Sequence, residues 1–186
     1  MALVPGGAAK RSMVPVDPTR RPVRRRNASR IIVRSGGRVL LVADSDPGKP
    51  GSRWYVTPGG GWDPGETSRQ AAVRELAEET GLHVAPGELL GPIAHRVVTH
   101  GYSDQVLVQY EDFYALDLDT PFIPDTSGFT PDEKITLGEF VWADVGQTTR
   151  MVVWPAEIAD LMVADGSSDI DLGHPEESTV PLEPHS

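Results

Sequence analysis

Cysteine is absent from this 186-residue chain, so disulfide bonds and thiolate metal sites are excluded. Long apolar runs are also missing, since no stretch approaches the eighteen or so residues that a membrane-spanning helix needs. The first residues lack the order of a secretory signal, because their weakly apolar stretch precedes the first basic residue and is interrupted by proline and glycine. We therefore expect a cytoplasmic protein that has no membrane partner.

Charge is distributed unevenly along the chain. The whole chain has a net charge of −10, whereas residues 1–26 contain seven basic residues against only Asp17. Such an arm could touch nucleic acid, but a Pro/Arg-rich segment without periodicity is most often disordered, so we expect no specific nucleic-acid partner. Residues 165–186 resemble a second tail, which is acidic and rich in small polar residues. We predict disordered tails at 1–26 and 165–186 around one folded domain at 27–164.

Between the tails, strand and helix patterns follow one another in a clear order. Gly36 and Gly37 separate two β-rich apolar runs, which is a hairpin signal. Alternating and apolar patterns predict strands at 29–34, 38–43, 54–57, 89–99, 104–118 and 135–142, and helices at 68–80 and 155–162. Strands interleaved with two helices predict an α+β fold with a mixed β-sheet between helices.

Residues 60–82 contain the strongest pattern in the chain, G-x5-E-x7-R-E-U-x-E-E-x-G-U, where U is aliphatic. Its positions are occupied without departure by Gly60, Glu66, Arg74, Glu75, Leu76, Glu78, Glu79, Gly81 and Leu82. With ordinary residue usage near 5 to 7 %, chance agreement is on the order of one in a billion per starting position.

The same residues indicate a metal site on physical grounds alone. Thr67 and Gln70 form a capping box and Gly81 supplies a left-handed stop, so residues 68–80 are expected to form one helix. Its three glutamates 75, 78 and 79 fall within roughly 100° of arc, next to an apolar face. Like charges at this spacing repel each other, and clustered carboxylates suit Mg²⁺ or Mn²⁺. The preceding Gly/Pro loop, 58–66, lets the backbone approach an ion or a phosphate closely.

The pattern resembles the signature of the Nudix hydrolase family, and the order of elements resembles the Nudix α/β/α sandwich. The resemblance implies hydrolysis of a nucleoside diphosphate linked to another moiety, by attack of water on phosphorus with divalent metal ions bound. It implies that Glu78 and Glu79 are the principal metal ligands and that Glu75 is a further ligand or the base. Arg74 would hold the glutamates by bidentate pairing. Glu66 and the carbonyl of Gly59 are implied as further members of the metal site.

Residues outside the pattern supply second-line candidates. The resemblance implies another carboxylate, ligand or base, from the region before the last strand, where Glu133 is the candidate and Asp132 competes with it. Trp54, Trp62 and Tyr102 could stack on a nucleobase, although a structural role is the favoured interpretation of each.

The substrate is left open by the sequence. A nucleoside triphosphate or related nucleotide, including oxidised ones, is the first expectation, and a nucleoside diphosphate sugar or ADP-ribose is the alternative. A non-catalytic nucleotide-binding domain is a third hypothesis, which the retained acidic residues disfavour. We expect Mg²⁺, with Mn²⁺ as the alternative cofactor, and a monomer or homodimer.

Overall fold

The predicted glycine hairpin lies at the centre of the fold in a computed structural model that describes residues 11–182. Gly36 and Gly37 have φ angles of 56° and 75°, which only glycine adopts without strain. They join β1 (Val23–Ser35) to β2 (Arg38–Asp44), and the two strands pair antiparallel. This hairpin is confirmed.

The other elements build a mixed sheet around the hairpin. The strands are β3 (Trp54–Val56), β4 (Gly59–Gly61), β5 (Leu90–Gly101), β6 (Val106–Asp117), β7 (Phe140–Asp144), β8 (Val153–Trp154) and β9 (Ile170–Asp171). The helices are α1 (Ser68–Thr80), α2 (Glu133–Thr136), α3 (Val145–Thr148) and α4 (Ile158–Leu161). The strand order is β8-β3-β2-β1-β6-β5-β9, with β4 paired to β1 and β7 to β2. Three pairs, β1 with β6, β3 with β8 and β5 with β9, are parallel and the others are antiparallel.

Side chains of β1 alternate between the two faces of the sheet and so define two core layers. Ile31 and Val33 pack with Leu76 of α1 on one face. Ile32 packs with Leu161 of α4 on the other face. The sheet therefore lies between helices, as the α+β prediction requires.

The last predicted strand, 135–142, is wrong in its position. Residues 133–136 form α2, and the strand begins at Phe140. Thr130 and Glu133 bond reciprocally, backbone N–H to side chain, as in a capping box, and Pro131 follows Thr130, so the local chemistry starts a helix. The helix predicted at 155–162 is also shorter, since α4 contains only Ile158–Leu161.

The predicted N-terminal tail requires correction. Strand β1 begins at Val23, inside the predicted tail, and pairs with β6 from its first residue. Before it, Arg21 is buried and donates to the carbonyls of Tyr102, Val180 and Pro181. The basic composition of residues 1–26 predicts a solvated tail, because it carries no information about the distant backbone carbonyls that accept hydrogen bonds from Arg21 in the fold. The part of the prediction that concerns residues 1–10 lies outside the described residues.

The predicted C-terminal tail is likewise ordered through residue 182. Ile170 and Asp171 form β9 against β5, and Glu177 is buried in an ion pair with Arg96. The acidic composition of this segment predicts a solvated tail, but the ion pair with buried Arg96 holds the segment against the sheet. Residues 183–186 lie outside the described part of the chain.

Candidate active site

Helix α1 places two of the predicted glutamates in the interior and one at the surface. Thr67 and Gln70 form the predicted capping box, and Gly81 ends the helix with a φ of 72°. Glu75 and Glu79, one turn apart, are 7 % and 4 % exposed, whereas Glu78 is exposed. The helix therefore presents a pair of buried carboxylates to the sheet.

A third carboxylate completes the cluster. Oxygen atoms of Glu75, Glu79 and Glu133 all lie within 4.8 Å of one another. Burial, followed by repulsion from Glu75, raises the pKa of Glu79 well above its ordinary value. Burial also raises the pKa of Glu75, although Arg74 opposes this shift. A cation would stabilise the ionised forms of these two buried carboxylates.

The donor set of this cluster fits Mg²⁺ or Mn²⁺. It consists of carboxylate oxygens without sulfur, and hard divalent cations prefer such ligands. Glu78 lies outside this cluster on the exposed side of α1, where its Oε2 accepts a hydrogen bond of 3.0 Å from Arg74 Nη1. The predicted pairing of Glu78 and Glu79 as principal ligands therefore differs from the arrangement in this structure.

The glycine strand β4 lies against these glutamates. The backbone N–H of Gly59 donates to Glu79 Oε2 at 3.0 Å. An added Cβ on Gly59 would lie 2.1 Å from the carbonyl oxygen of Ser29, and the φ of Gly59 is 135°. An added Cβ on Gly60 would lie 2.6 Å from a carboxylate oxygen of Glu75. Any side chain here would displace either a catalytic candidate or the neighbouring strand.

Arg74 connects the remaining acidic residues of the pattern. Its Nε and Nη2 donate to the two oxygens of Glu66 at 2.7 and 2.9 Å, which is the bidentate geometry expected of this residue. Its Nη1 donates to both Glu75 and Glu78. Glu66 is thus paired with Arg74 and lies outside the carboxylate cluster. The hydrogen bond from Arg74 holds the side chain of Glu75 within the cluster.

A buried ion-pair network supports the other side of the glycine strand. Arg30 Nη1 donates to the carbonyl of Gly59 at 2.8 Å, and Arg30 Nε donates to Glu111. Glu111 also accepts from Arg96, which pairs in bidentate fashion with Glu177. Burial alone would raise the pKa of Glu111, but Arg30 and Arg96 outweigh it and hold the pKa at about 2. The network fixes the position of the Gly59 carbonyl.

Sequence reasoning missed this network, although a signal for it exists. Arg26 and Arg30 are four residues apart on one strand, and Gln109 and Glu111 are two apart on its neighbour. Even spacing places each pair on one face of its strand. Polar residues on one face of two paired strands could have been recognised as a buried polar ladder.

The three aromatic candidates lie in different environments. Trp54 and Tyr102 are 2 % and 9 % exposed and pack together with Trp154 in an apolar cluster. The Trp54 ring stacks on Trp154 with centroids 4.5 Å apart. Their burial argues against stacking on a nucleobase and places them in the core. Trp62 is partly exposed, and its Nε1 donates to Ser29 Oγ at 2.9 Å.

Comparisons with known proteins agree with this site and fold. Residues 23–161 match the family model of the NUDIX domain. A protein described as an uncharacterized Nudix hydrolase, YvcI of Bacillus subtilis, is 25 % identical over 134 residues, 71 % of this chain and 75 % of that protein. An RNA pyrophosphohydrolase of Legionella pneumophila is 35 % identical over 106 residues, which cover 48 % of this chain and 61 % of that protein.

Solved structures agree on the fold. The MutT protein of Bacillus halodurans superposes with a TM-score of 0.52 and 18 % identity, over 83 % of this chain and 91 % of that one. A MutT NUDIX hydrolase of Burkholderia pseudomallei gives 0.51 and 21 %, over 75 % and 98 %. The mixed sheet between helices is thus a Nudix-type sandwich. The chain belongs to the Nudix family, and the prediction of a Nudix hydrolase is confirmed at that level.

Within residues 11–182, none of the helices combines the length and the apolar character that crossing a membrane would require.

Proposed function

We propose that this protein hydrolyses a phosphoanhydride bond in a nucleoside diphosphate linked to another moiety. The observation that carries the proposal is the cluster of Glu75, Glu79 and Glu133, whose oxygens lie within 4.8 Å of one another beside a glycine strand. Clustered carboxylates and closely approaching backbone are suited to charge neutralisation and positioning, which are the main demands of phosphoryl transfer.

Magnesium is the proposed cofactor, with manganese as the alternative. Glu75, Glu79 and Glu133 would hold the ion, with the carbonyl of Gly59 as a backbone ligand. Glu78 and Glu66, which Arg74 holds nearby, would complete the site directly or through water. A bound divalent ion would neutralise phosphate charge and lower the pKa of water.

Two glutamates, Glu75 and Glu133, are candidates for the general base. Arg74 holds Oε1 of Glu75 at 2.8 Å, whereas Oε2 of Glu75 accepts none of the hydrogen bonds found in residues 11–182. This free oxygen would either bind the ion or, if Glu75 is the base and not a ligand, accept the proton of the attacking water. Glu133, whose Oε2 accepts from the backbone of Thr130, is the competing base.

For the substrate, a nucleoside triphosphate or a related, possibly oxidised, nucleotide remains the first choice. A nucleoside diphosphate sugar or ADP-ribose is the alternative. The Legionella relative, which is named an RNA pyrophosphohydrolase, adds RNA as a further candidate substrate. Trp62, which is partly exposed near the glycine strand, is the remaining aromatic candidate for the base.

The decisive experiment is a hydrolysis panel with Mg²⁺ in ¹⁸O-labelled water. It contains nucleoside triphosphates, a nucleoside diphosphate sugar, ADP-ribose and a 5′-triphosphorylated RNA oligonucleotide. We expect the label on a phosphate product of one of them. Label found only in a sugar product, or preferential cleavage of phosphate monoesters, would refute the reaction type.

Substitution tests the metal site within the same assay. Glu79→Gln should lower turnover by several orders of magnitude without unfolding the protein, because it removes a ligand charge and keeps the volume. Asp160→Asn, on the exposed surface of α4, is the matched control and should not change turnover. Calorimetry should show Mn²⁺ binding that weakens in Glu79→Gln only. Wild-type turnover in Glu79→Gln at saturating Mg²⁺ would remove the assignment. Nucleotide binding without any hydrolysis in the wild type would favour the non-catalytic hypothesis.

A further inference from the structure

Arg26 differs from the other arginines around the glycine strand because it forms no ion pair within residues 11–182. Its one hydrogen bond runs from Nε to Gln109 Oε1 at 2.5 Å. Arg30 and Arg96, on the same side of the sheet, each pair with Glu111. The two terminal nitrogens of Arg26 therefore remain available for a ligand.

The charges of the neighbouring network leave Arg26 uncompensated. Arg30 and Arg96 contribute two positive charges, and Glu111 and Glu177 contribute two negative charges, so these four cancel. Burial raises the pKa of Glu177 to about 7, although the bidentate contact with Arg96 opposes this shift. The four charges cancel when Glu177 is ionised, which is the state that its two hydrogen bonds from Arg96 favour. The charge of Arg26 is then not neutralised by Glu111 or Glu177.

Gln109 holds the Arg26 side chain in one orientation. Gln109 is fully buried, and its Nε2 donates to Glu111 Oε1 at 2.6 Å, which leaves its Oε1 to face Arg26. A guanidinium that is already oriented loses less conformational entropy when it binds an anion.

The position of Arg26 relates this cation to the carboxylate cluster. An added Cβ on Gly61 would lie 3.4 Å from both Cδ and Nη1 of Arg26, so the guanidinium rests on the glycine strand. Glu75 and Tyr102 lie close enough to Arg26 to interact with its charge. Arg26 is solvent-exposed, so a ligand can reach its guanidinium.

We propose that Arg26, oriented by Gln109, binds a phosphate group of the substrate beside the carboxylate cluster. The inference rests on the proposed function and adds a specificity residue to it. A planar guanidinium with two free terminal nitrogens matches two phosphate oxygens, and the carboxylate cluster would take an adjacent phosphate through its metal ion. Substrates with at least two linked phosphates satisfy both sites.

The test compares Arg26→Gln with Arg38→Gln, which removes the same charge from an exposed position at the opposite end of the sheet. Calorimetry with inorganic pyrophosphate measures binding without catalysis, in Ca²⁺ to avoid turnover. We expect affinity to fall by about tenfold to a hundredfold in Arg26→Gln and to be unchanged in Arg38→Gln. With the preferred substrate, KM should rise by a similar factor while kcat changes less. Arg26→Lys, which keeps the charge but not the planar fork, should be intermediate.

Gln109→Leu tests how Arg26 is oriented. Its effect on pyrophosphate affinity should be smaller than that of Arg26→Gln and should vanish when Arg26 is already Gln. Thermal melting reports whether each variant is folded.

Wild-type pyrophosphate affinity in folded Arg26→Gln, or absence of pyrophosphate binding in the wild type, would overturn the inference. A wild type that binds pyrophosphate through Arg26 but cleaves none of the nucleotides would instead refute the proposed function.

Discussion

The ion pair between Arg96 and Glu177 allows a quantitative prediction about the C-terminal segment. The side chains are 2 % and 7 % exposed, and two hydrogen bonds of 2.6 and 2.9 Å join them. Glu177→Gln keeps the volume but removes the charge, so the network is left with one positive charge in excess. Removing one member of a buried pair costs about 3 to 5 kcal/mol, and the lower value applies because Arg96 keeps its contact with Glu111.

Thermal unfolding followed by circular dichroism measures this loss. For a domain of this size, about 3 kcal/mol corresponds to a decrease in Tm of roughly 6 to 12 °C. Glu176→Gln, the same change at the exposed neighbouring position, is the control and should alter Tm by no more than about 2 °C. Equal Tm values for wild type and Glu177→Gln would refute the reasoning, since the segment would then contribute nothing to the fold.

Two further substitutions test local features of the site and its surroundings. Gly59→Ala should destabilise the protein by more than about 2 kcal/mol, because its φ of 135° and the Ser29 carbonyl at 2.1 Å both exclude a Cβ. Gly87→Ala, where nothing lies within 4 Å of the added carbon, is the control, and equal denaturant midpoints for both variants would contradict this. Asp46→Asn should cost about 2 kcal/mol, since the buried carboxylate accepts from the N–H and Oγ of Ser103. Burial opposes ionisation of Asp46, but its hydrogen bonds prevail and lower its pKa, so its stabilisation is present above about pH 4 and is lost as the pH falls further. Acid titrations of stability should therefore be less steep in Asp46→Asn, and parallel curves would be inconsistent with this account.

Local signals explain which elements the sequence predicts well. Helix α1 has a capping box at Thr67 and a glycine stop at Gly81, and its bounds are as predicted. The hairpin has two consecutive glycines at its turn. Helix α2 also has a local signal, Thr130 to Glu133, but the apolar residues that follow it favoured a strand. In the structure, the capping signal at Thr130 and Glu133 prevails over the apolar pattern of the residues that follow it.

In the candidate site too, local patterns predict some residues, and others depend on tertiary contacts. The glutamates of α1 follow from the pattern, whereas the proximity of Glu133 to Glu75 and Glu79 depends on the tertiary fold, which brings a residue from another segment of the chain close to α1. The burial of Glu177 depends on a partner, Arg96, that is 81 residues away in the chain. Composition describes segments one at a time, so it cannot identify an acidic segment that a distant buried cation draws into the fold.

Arg21 couples the stability of the two ends of the described chain. Its guanidinium donates to the carbonyl of Tyr102 and to those of Val180 and Pro181, about 160 residues downstream in sequence. Loss of either segment removes the contacts between the two, so the free-energy costs of shortening the chain at its two ends are not additive. The two ends together thus behave as one cooperative unit, although each on its own has the composition of a disordered tail.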